Sequence, residues 1–142
     1  MLRRAAPVLA GHVVSTVLEP GLPSLSLDFV LAEQALFNLL DNAAKYAPGG
    51  SRIEVVARRV GARIEIAVQD EGPGLPPEAL PRLFDKFYRA DRGDRTRAGT
   101  GLGLAIARGF VEVQGGTLAA RNRADRTGAA FVVSFPAMTP LP

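Results

Sequence analysis

Asn38-Leu39-Leu40-Asp41-Asn42-Ala43-Ala44-Lys45-Tyr46 is the stretch on which the fold turns. At about 100° per residue, Leu36, Leu39, Leu40, Ala43 and Ala47 share one stripe. Gln34, Asn38, Asp41, Asn42 and Lys45 fall on the opposite side. Asn38, Asn42 and Lys45 stand four and then three residues apart, which makes them neighbours on that side. Neutral amide oxygens suit Mg²⁺ whose other ligands are phosphate oxygens, because Mg²⁺ takes few protein ligands. A Lys one turn on can neutralise a phosphate oxygen. Taken alone, the stretch also describes an ordinary amphipathic helix with its polar face in water.

Working outward, the helix starts at Asp28, a side chain suited to the N-cap, and stops at Ala47-Pro48-Gly49-Gly50. A strand over residues 12–18 precedes it, closed by Glu19-Pro20-Gly21-Leu22-Pro23. Residues 53–60 and 62–69 read as two strands around Gly61, with alternation in Ile64, Ile66 and Val68. A short helix is expected near residues 77–83 and a longer one over 102–114, its apolar row Leu102, Ile106, Phe110 and Val113. Two strands, 117–122 and 129–135, flank a turn at 124–128. Helices separated by strand pairs predict an α+β sandwich: one mixed or antiparallel sheet covered on one face by helices. The regular βαβ alternation of a dinucleotide fold is absent.

Three further motifs follow the helix in order. Asp70-Glu71-Gly72-Pro73-Gly74 places a carboxylate at a strand end beside glycines. There it can accept from an adenine amine while the glycines let backbone approach a planar ring. The same residues make an ordinary β-turn. Phe84-Asp85-Lys86-Phe87-Tyr88-Arg89 opens a polar, unpatterned segment that also carries Arg92, Arg95 and Arg97. Aromatics can anchor such a segment and arginines can reach a triphosphate, although a plain solvated loop has the same composition. Gly99-Thr100-Gly101-Leu102-Gly103-Leu104 leads into a helix, whose free N–H groups and dipole attract phosphate. No Gly-Lys-[Ser/Thr] follows, so it is not a Walker loop.

Bulk properties narrow the class. At 142 residues and 47% hydrophobic, the chain suits one domain with an aliphatic core. No apolar run approaches the length of a membrane span, and the basic start lacks a full signal-peptide core. The absence of Cys excludes thiolate chemistry and fits a cytoplasmic setting. The net charge of +3 rests on scattered arginines with no aromatic platform between them, so nucleic acid is not the expected partner. His12, the only histidine, sits beside apolar strand residues with no acid adjacent, and a structural role is expected for it.

The four motifs in this order resemble the N, G1, F and G2 boxes of the ATP-binding catalytic domain of sensor histidine kinases, in the GHKL (Bergerat-fold) ATPase superfamily. The resemblance covers residues 12–136, leaving 1–11 as an N-terminal extension, expected to be poorly ordered, and 137–142 as a tail. Glu33-Gln34 before the first box, Val111-Glu112-Val113-Gln114-Gly115-Gly116 and Asn122-Arg123 resemble the potassium-responsive KdpD branch.

The resemblance implies a Bergerat-fold α/β sandwich with a mobile ATP lid, and ATP and Mg²⁺ as ligands. Asn42 would be the main Mg²⁺ ligand, with Asn38 beside it. Lys45 would contact phosphate and Tyr46 the base or ribose. Asp70 would bind the adenine amine in a pocket shaped by Gly72 and Gly74. Gly99, Thr100, Gly101, Leu102 and Gly103 would line the triphosphate under the lid, and Arg89 would reach the phosphates. ATP-hydrolysing members of the superfamily carry a Glu where Asn38 stands, and an amide cannot take a proton from water. The implied chemistry is therefore donation of the γ-phosphoryl group to a His on a separate dimerisation domain, with a response regulator served indirectly. The parent kinase would be anchored in the inner membrane, this part lying in the cytoplasm without touching the membrane. No acid-flanked acceptor His occurs here, so the chain is expected to be a kinase fragment or to receive its acceptor in trans. Two alternatives share the fold: a stand-alone anti-sigma-factor-type serine kinase, and a partner-binding module without turnover.

Overall fold

The computed structural model describes residues 7–22, 27–88 and 102–137. In chain order the elements are β1 (Val13–Leu18), α1 (Phe29–Tyr46), β2 (Arg52–Val60), β3 (Arg63–Gln69), a 3₁₀ turn (Pro77–Arg82), α2 (Gly103–Glu112), β4 (Thr117–Asn122) and β5 (Ala129–Pro136). The five strands form one sheet in the order β1-β2-β3-β5-β4. β1 runs parallel to β2, joined to it through α1, and every other pairing is antiparallel, so the sheet is mixed.

Alternation along β5 sorts the two faces. Phe131, Val133 and Phe135 point into the main core with Leu39, Leu40, Ile53, Val68 and Val111. Ala130 and Val132 point the other way, into a small cluster with Ala67. Both helices lie on the first face. They run antiparallel side by side: the Asp28 N–H donates to Gln114 Oε1 at 2.7 Å at one end, and Asn38 Nδ2 donates to the Gly103 carbonyl at 3.2 Å at the other.

α1 begins where its sequence says. Asp28 caps it by accepting from the Leu31 N–H at 3.1 Å, a contact of a kind worth about 1 kcal/mol. Ala35, Leu39, Leu40, Ala43 and Ala44 are buried, and Leu36 is half-buried.

α2 corrects the expected row. Ala107 and Val111 are the buried positions, with Leu104 and Phe110 packed beside them, whereas Ile106 is 42% and Val113 71% exposed. The small side chain of Ala107 lets the helix settle close against its neighbours, which turns the buried line onto residues 104, 107 and 111. Val113 lies past the helix end. The packed unit also reaches upstream of residue 12: Leu9 is 5% exposed and belongs to the core. At the other end, the Ala137 N–H still donates to the Ala62 carbonyl. Among the described residues no helix is long and apolar enough to cross a membrane.

Candidate nucleotide site

Asp70 follows β3 and is fully buried. Its main-chain N–H donates to the Ala129 carbonyl at 3.0 Å, extending the β3–β5 ladder by one residue. Its Oδ1 accepts from the Gly72 N–H at 2.9 Å and the Ala129 N–H at 3.2 Å. A carboxylate in such a place is set by backbone donors, with its orientation fixed before any ligand arrives.

Gly72 brings this turn against α1. A Cβ at position 72 would stand 2.9 Å from the Tyr46 carbonyl oxygen and 3.1 Å from Asp70 Oδ1, closer than a side chain tolerates. The missing side chain therefore joins the carboxylate to the last turn of the polar-striped helix. Gly74 lies against Asn122 at the far side of the same turn.

The polar side of α1 is half-buried rather than bathed in solvent, because the start of α2 leans on it. Asn38 is engaged at both ends, its Oδ1 accepting from Gln34 Nε2 at 3.3 Å and its Nδ2 donating to Gly103. Lys45 pairs with Asp41 at 3.0 Å, both side chains about 30% exposed, so its ammonium stays within reach of a second anion. Asn42 differs: its Nδ2 is buried and has no hydrogen-bond partner among the described residues. An unsatisfied buried amide marks a place for a polar ligand. Rotating that amide by half a turn presents oxygen in place of nitrogen, so the position serves a phosphate oxygen or a cation. Among the described residues no group of three or more His, Cys, Asp or Glu side chains is placed to hold a metal. An amide ligand completed by phosphate oxygens is the donor set that fits Mg²⁺ here.

Leu102 occupies the N-cap position of α2 and offers no side-chain acceptor to the first-turn amides. Those amides and the helix dipole favour an anion at this end. Of the expected phosphate loop, Leu102 and Gly103 are described, whereas Gly99, Thr100 and Gly101 lie outside the described residues, as do Arg89, Arg92, Arg95 and Arg97.

The start of the aromatic segment is anchored through Phe84. Phe84 meets Phe131 edge to face, with ring centroids 6.5 Å apart, and the Arg108 guanidinium lies 5.4 Å from the Phe84 ring centre. Arg82 stacks over Tyr88 at 4.7 Å. Phe87 is 69% exposed and adopts φ 66, an uncommon conformation for a bulky residue.

His12 sits at the C-terminal end of α1, its Nε2 3.3 Å from the Ala47 carbonyl. Its Nδ1 is buried without a partner among the described residues.

Behind the Asp70 turn lies an ionic layer that joins residues far apart in the sequence. Arg123 pairs with Glu54 and Asp125, and Arg126 pairs with Glu71. Burial alone would lower the Arg123 pKa, but hydrogen bonds to Asp125 and Glu54 outweigh it and hold the guanidinium above its ordinary value. The main-chain N–H of Arg52, with Arg126 beside it, keeps the Glu71 carboxyl below the usual carboxylate range.

A mixed five-stranded sheet with two antiparallel helices on one face, and a carboxylate turn built against the first helix, defines a nucleotide-binding ATPase fold. The chain belongs to the histidine kinase-, DNA gyrase B- and HSP90-like ATPase family, whose profile matches residues 28–139. Membership implies ATP as the nucleotide.

Among relatives, it is 42% identical over 138 residues to the sensor protein KdpD of Escherichia coli (strain K12), a match covering 97% of this chain and 15% of that protein. The chain thus spans a small part of the sensor it matches. Among solved structures, the mycobacterial sensor histidine kinase MprB superposes with a TM-score of 0.86 at 29% identity, covering 98% of this chain and 92% of that one. The full-length ShkA structure, in complex with AMPPNP, superposes at 0.79 with 28% identity, covering 99% of this chain and 30% of that one.

Proposed function

We propose that this chain is the catalytic domain of a two-component sensor histidine kinase, binding Mg-ATP and donating the γ-phosphoryl group to a His on a separate dimerisation domain. The observation that carries the proposal is the buried Asp70 carboxylate, oriented by two backbone N–H groups and held by Gly72 against the helix that bears Asn38, Asn42 and Lys45. Asp70 would accept from the adenine amine, with Gly72 and Gly74 shaping the ring pocket and Tyr46 beside it. Asn42 would hold Mg²⁺ together with Asn38, and Lys45 and Arg89 would meet phosphate oxygens. Gly99, Thr100, Gly101, Leu102 and Gly103 would cradle the triphosphate. Mg²⁺, when bound, supplies charge neutralisation along the phosphates.

What this chain's residues add is position. Asn38 offers an amide where a general base would be needed to activate water, so hydrolysis is slow and the phosphoryl group waits for its acceptor. The nucleotide bound by ShkA and the histidine kinase name of MprB support this function. The identity to KdpD further supports a potassium or osmotic signalling role for the parent protein.

Calorimetric titration tests the nucleotide site. ATP and ADP should bind in the micromolar range in the presence of Mg²⁺ and more weakly without it, GTP should bind poorly, and phosphate release from ATP should be slow. No heat and no thermal shift at millimolar adenine nucleotide would contradict the proposal.

A further inference from the structure

We infer that Asn122 and Arg123, consecutive residues where β4 ends, are positioning residues that hold the base-reading turn at both of its ends and thereby set the preference for adenine. The inference rests on Asp70 as the adenine acceptor.

Asn122 grips the far end of the turn. Its Oδ1 accepts from the Leu75 N–H at 2.6 Å and its Nδ2 donates to the Leu75 carbonyl at 2.9 Å. Both backbone groups of one residue are thus taken by one amide, as a neighbouring strand would take them. Arg123 grips the near end. Its Nη1 donates to the Asp70 carbonyl at 3.2 Å, its Nη2 pairs with Glu54 at 3.1 Å and its Nε donates to Asp125 at 3.0 Å. The Arg123 side chain is only 2% exposed.

A buried guanidinium is costly unless its donors are used, and here the planar fork spans three acceptors at fixed angles. The hairpin closes on the same point, because a Cβ on Gly128 would collide with the Asp70 carbonyl oxygen. Between the two grips lie Gly72, Pro73 and Gly74, the stretch whose backbone would face the ring. A turn held at both ends presents Asp70 at one angle, and discrimination between bases depends on that angle.

The test compares wild type, Arg123→Lys and Asn122→Ala by calorimetry with ADP, GDP and pyrophosphate, well below each variant's Tm. Lys keeps the charge but cannot span the three acceptors, and Ala removes both contacts to Leu75. Each variant should raise the Kd for ADP about tenfold while leaving GDP and pyrophosphate within about twofold, so that the adenine preference falls. A role in stability alone would lower Tm and leave the ADP-to-GDP ratio of the folded protein unchanged, and that result would overturn the inference. Should either variant fail to fold, Asp125→Asn loosens Arg123 from outside, since the Asp125 side chain is 59% exposed, and the same ratio is read. A wild type without adenine preference would instead overturn the role of Asp70 itself.

Discussion

Asp70→Asn should weaken ADP binding by about 10- to 150-fold, the worth of a charge-assisted hydrogen bond of about 1.5–3 kcal/mol, while GDP binding holds or improves. The asymmetry follows from how the carboxylate is set. Oδ1 accepts from the Gly72 and Ala129 N–H groups, so an Asn at 70 keeps its oxygen there and turns its NH₂ toward the ligand. That NH₂ opposes an adenine amine, donor against donor, and suits the carbonyl of guanine. Because both backbone contacts survive, Tm should stay near wild type. Asp70→Ala, which loses both, should lower Tm as well as affinity. Calorimetry with the two diphosphates and a melting curve measure this. Equal losses for ADP and GDP would mean that Asp70 does not read the base.

Phe131→Ala should cost about 3–5 kcal/mol of stability, seen as a lower urea midpoint at unchanged slope. Phe131 is fully buried in β5, the strand between β3 and β4, and is the largest of the fully buried side chains among the described residues. No neighbour can fill the space, since β5 is fixed by ladders on both sides. The substitution also removes the ring against which Phe84 rests edge to face, so the start of the aromatic-basic segment should gain faster hydrogen exchange at Phe84 and Asp85. A loss below about 1 kcal/mol would mean that the core closes over the cavity more readily than its packing implies.

The first helix was legible because its signals are local. The Asp28 cap, the Leu39/Leu40/Ala43 stripe and the Pro48-Gly49 stop each act on the residues next to them, and α1 runs from the cap to the stop as its periodicity requires. The β2–β3 hairpin was legible for the same reason: Gly61 between two strand-like runs makes a turn, and the antiparallel pairing follows. The second helix was read with the wrong buried row, because Ile106 and Val113 are the larger hydrophobes while Ala107 is what fits against the neighbouring elements. Volume at a contact, not hydrophobicity, chose the face.

Of the candidate site, the order of the motifs pointed to a nucleotide, but the geometry that joins them could not be read locally. Asn38 meets Gly103 across 65 residues, and Gly72 meets Tyr46 through the absence of a side chain. Asn122-Arg123 stood out in the sequence as a pair that resembles a kinase branch, but nothing near Arg123 told what its side chain meets. Only the fold brings Glu54, 69 residues away, and the Asp70 carbonyl to its buried fork.

As the donor half of a phosphotransfer pair, this chain would phosphorylate another domain and not itself. The test uses γ-labelled ATP, first with this chain alone and then with an added helical dimerisation domain bearing an acid-flanked His. The expected result is no label on this chain and acid-labile label on the added domain, abolished by Asn42→Ala in the donor. His12, the only histidine, packs at the Ala47 carbonyl and is expected to take no part in that transfer. Acid-labile label on this chain by itself, removed by His12→Ala, would contradict both the structural place of His12 and the donor role of the whole chain.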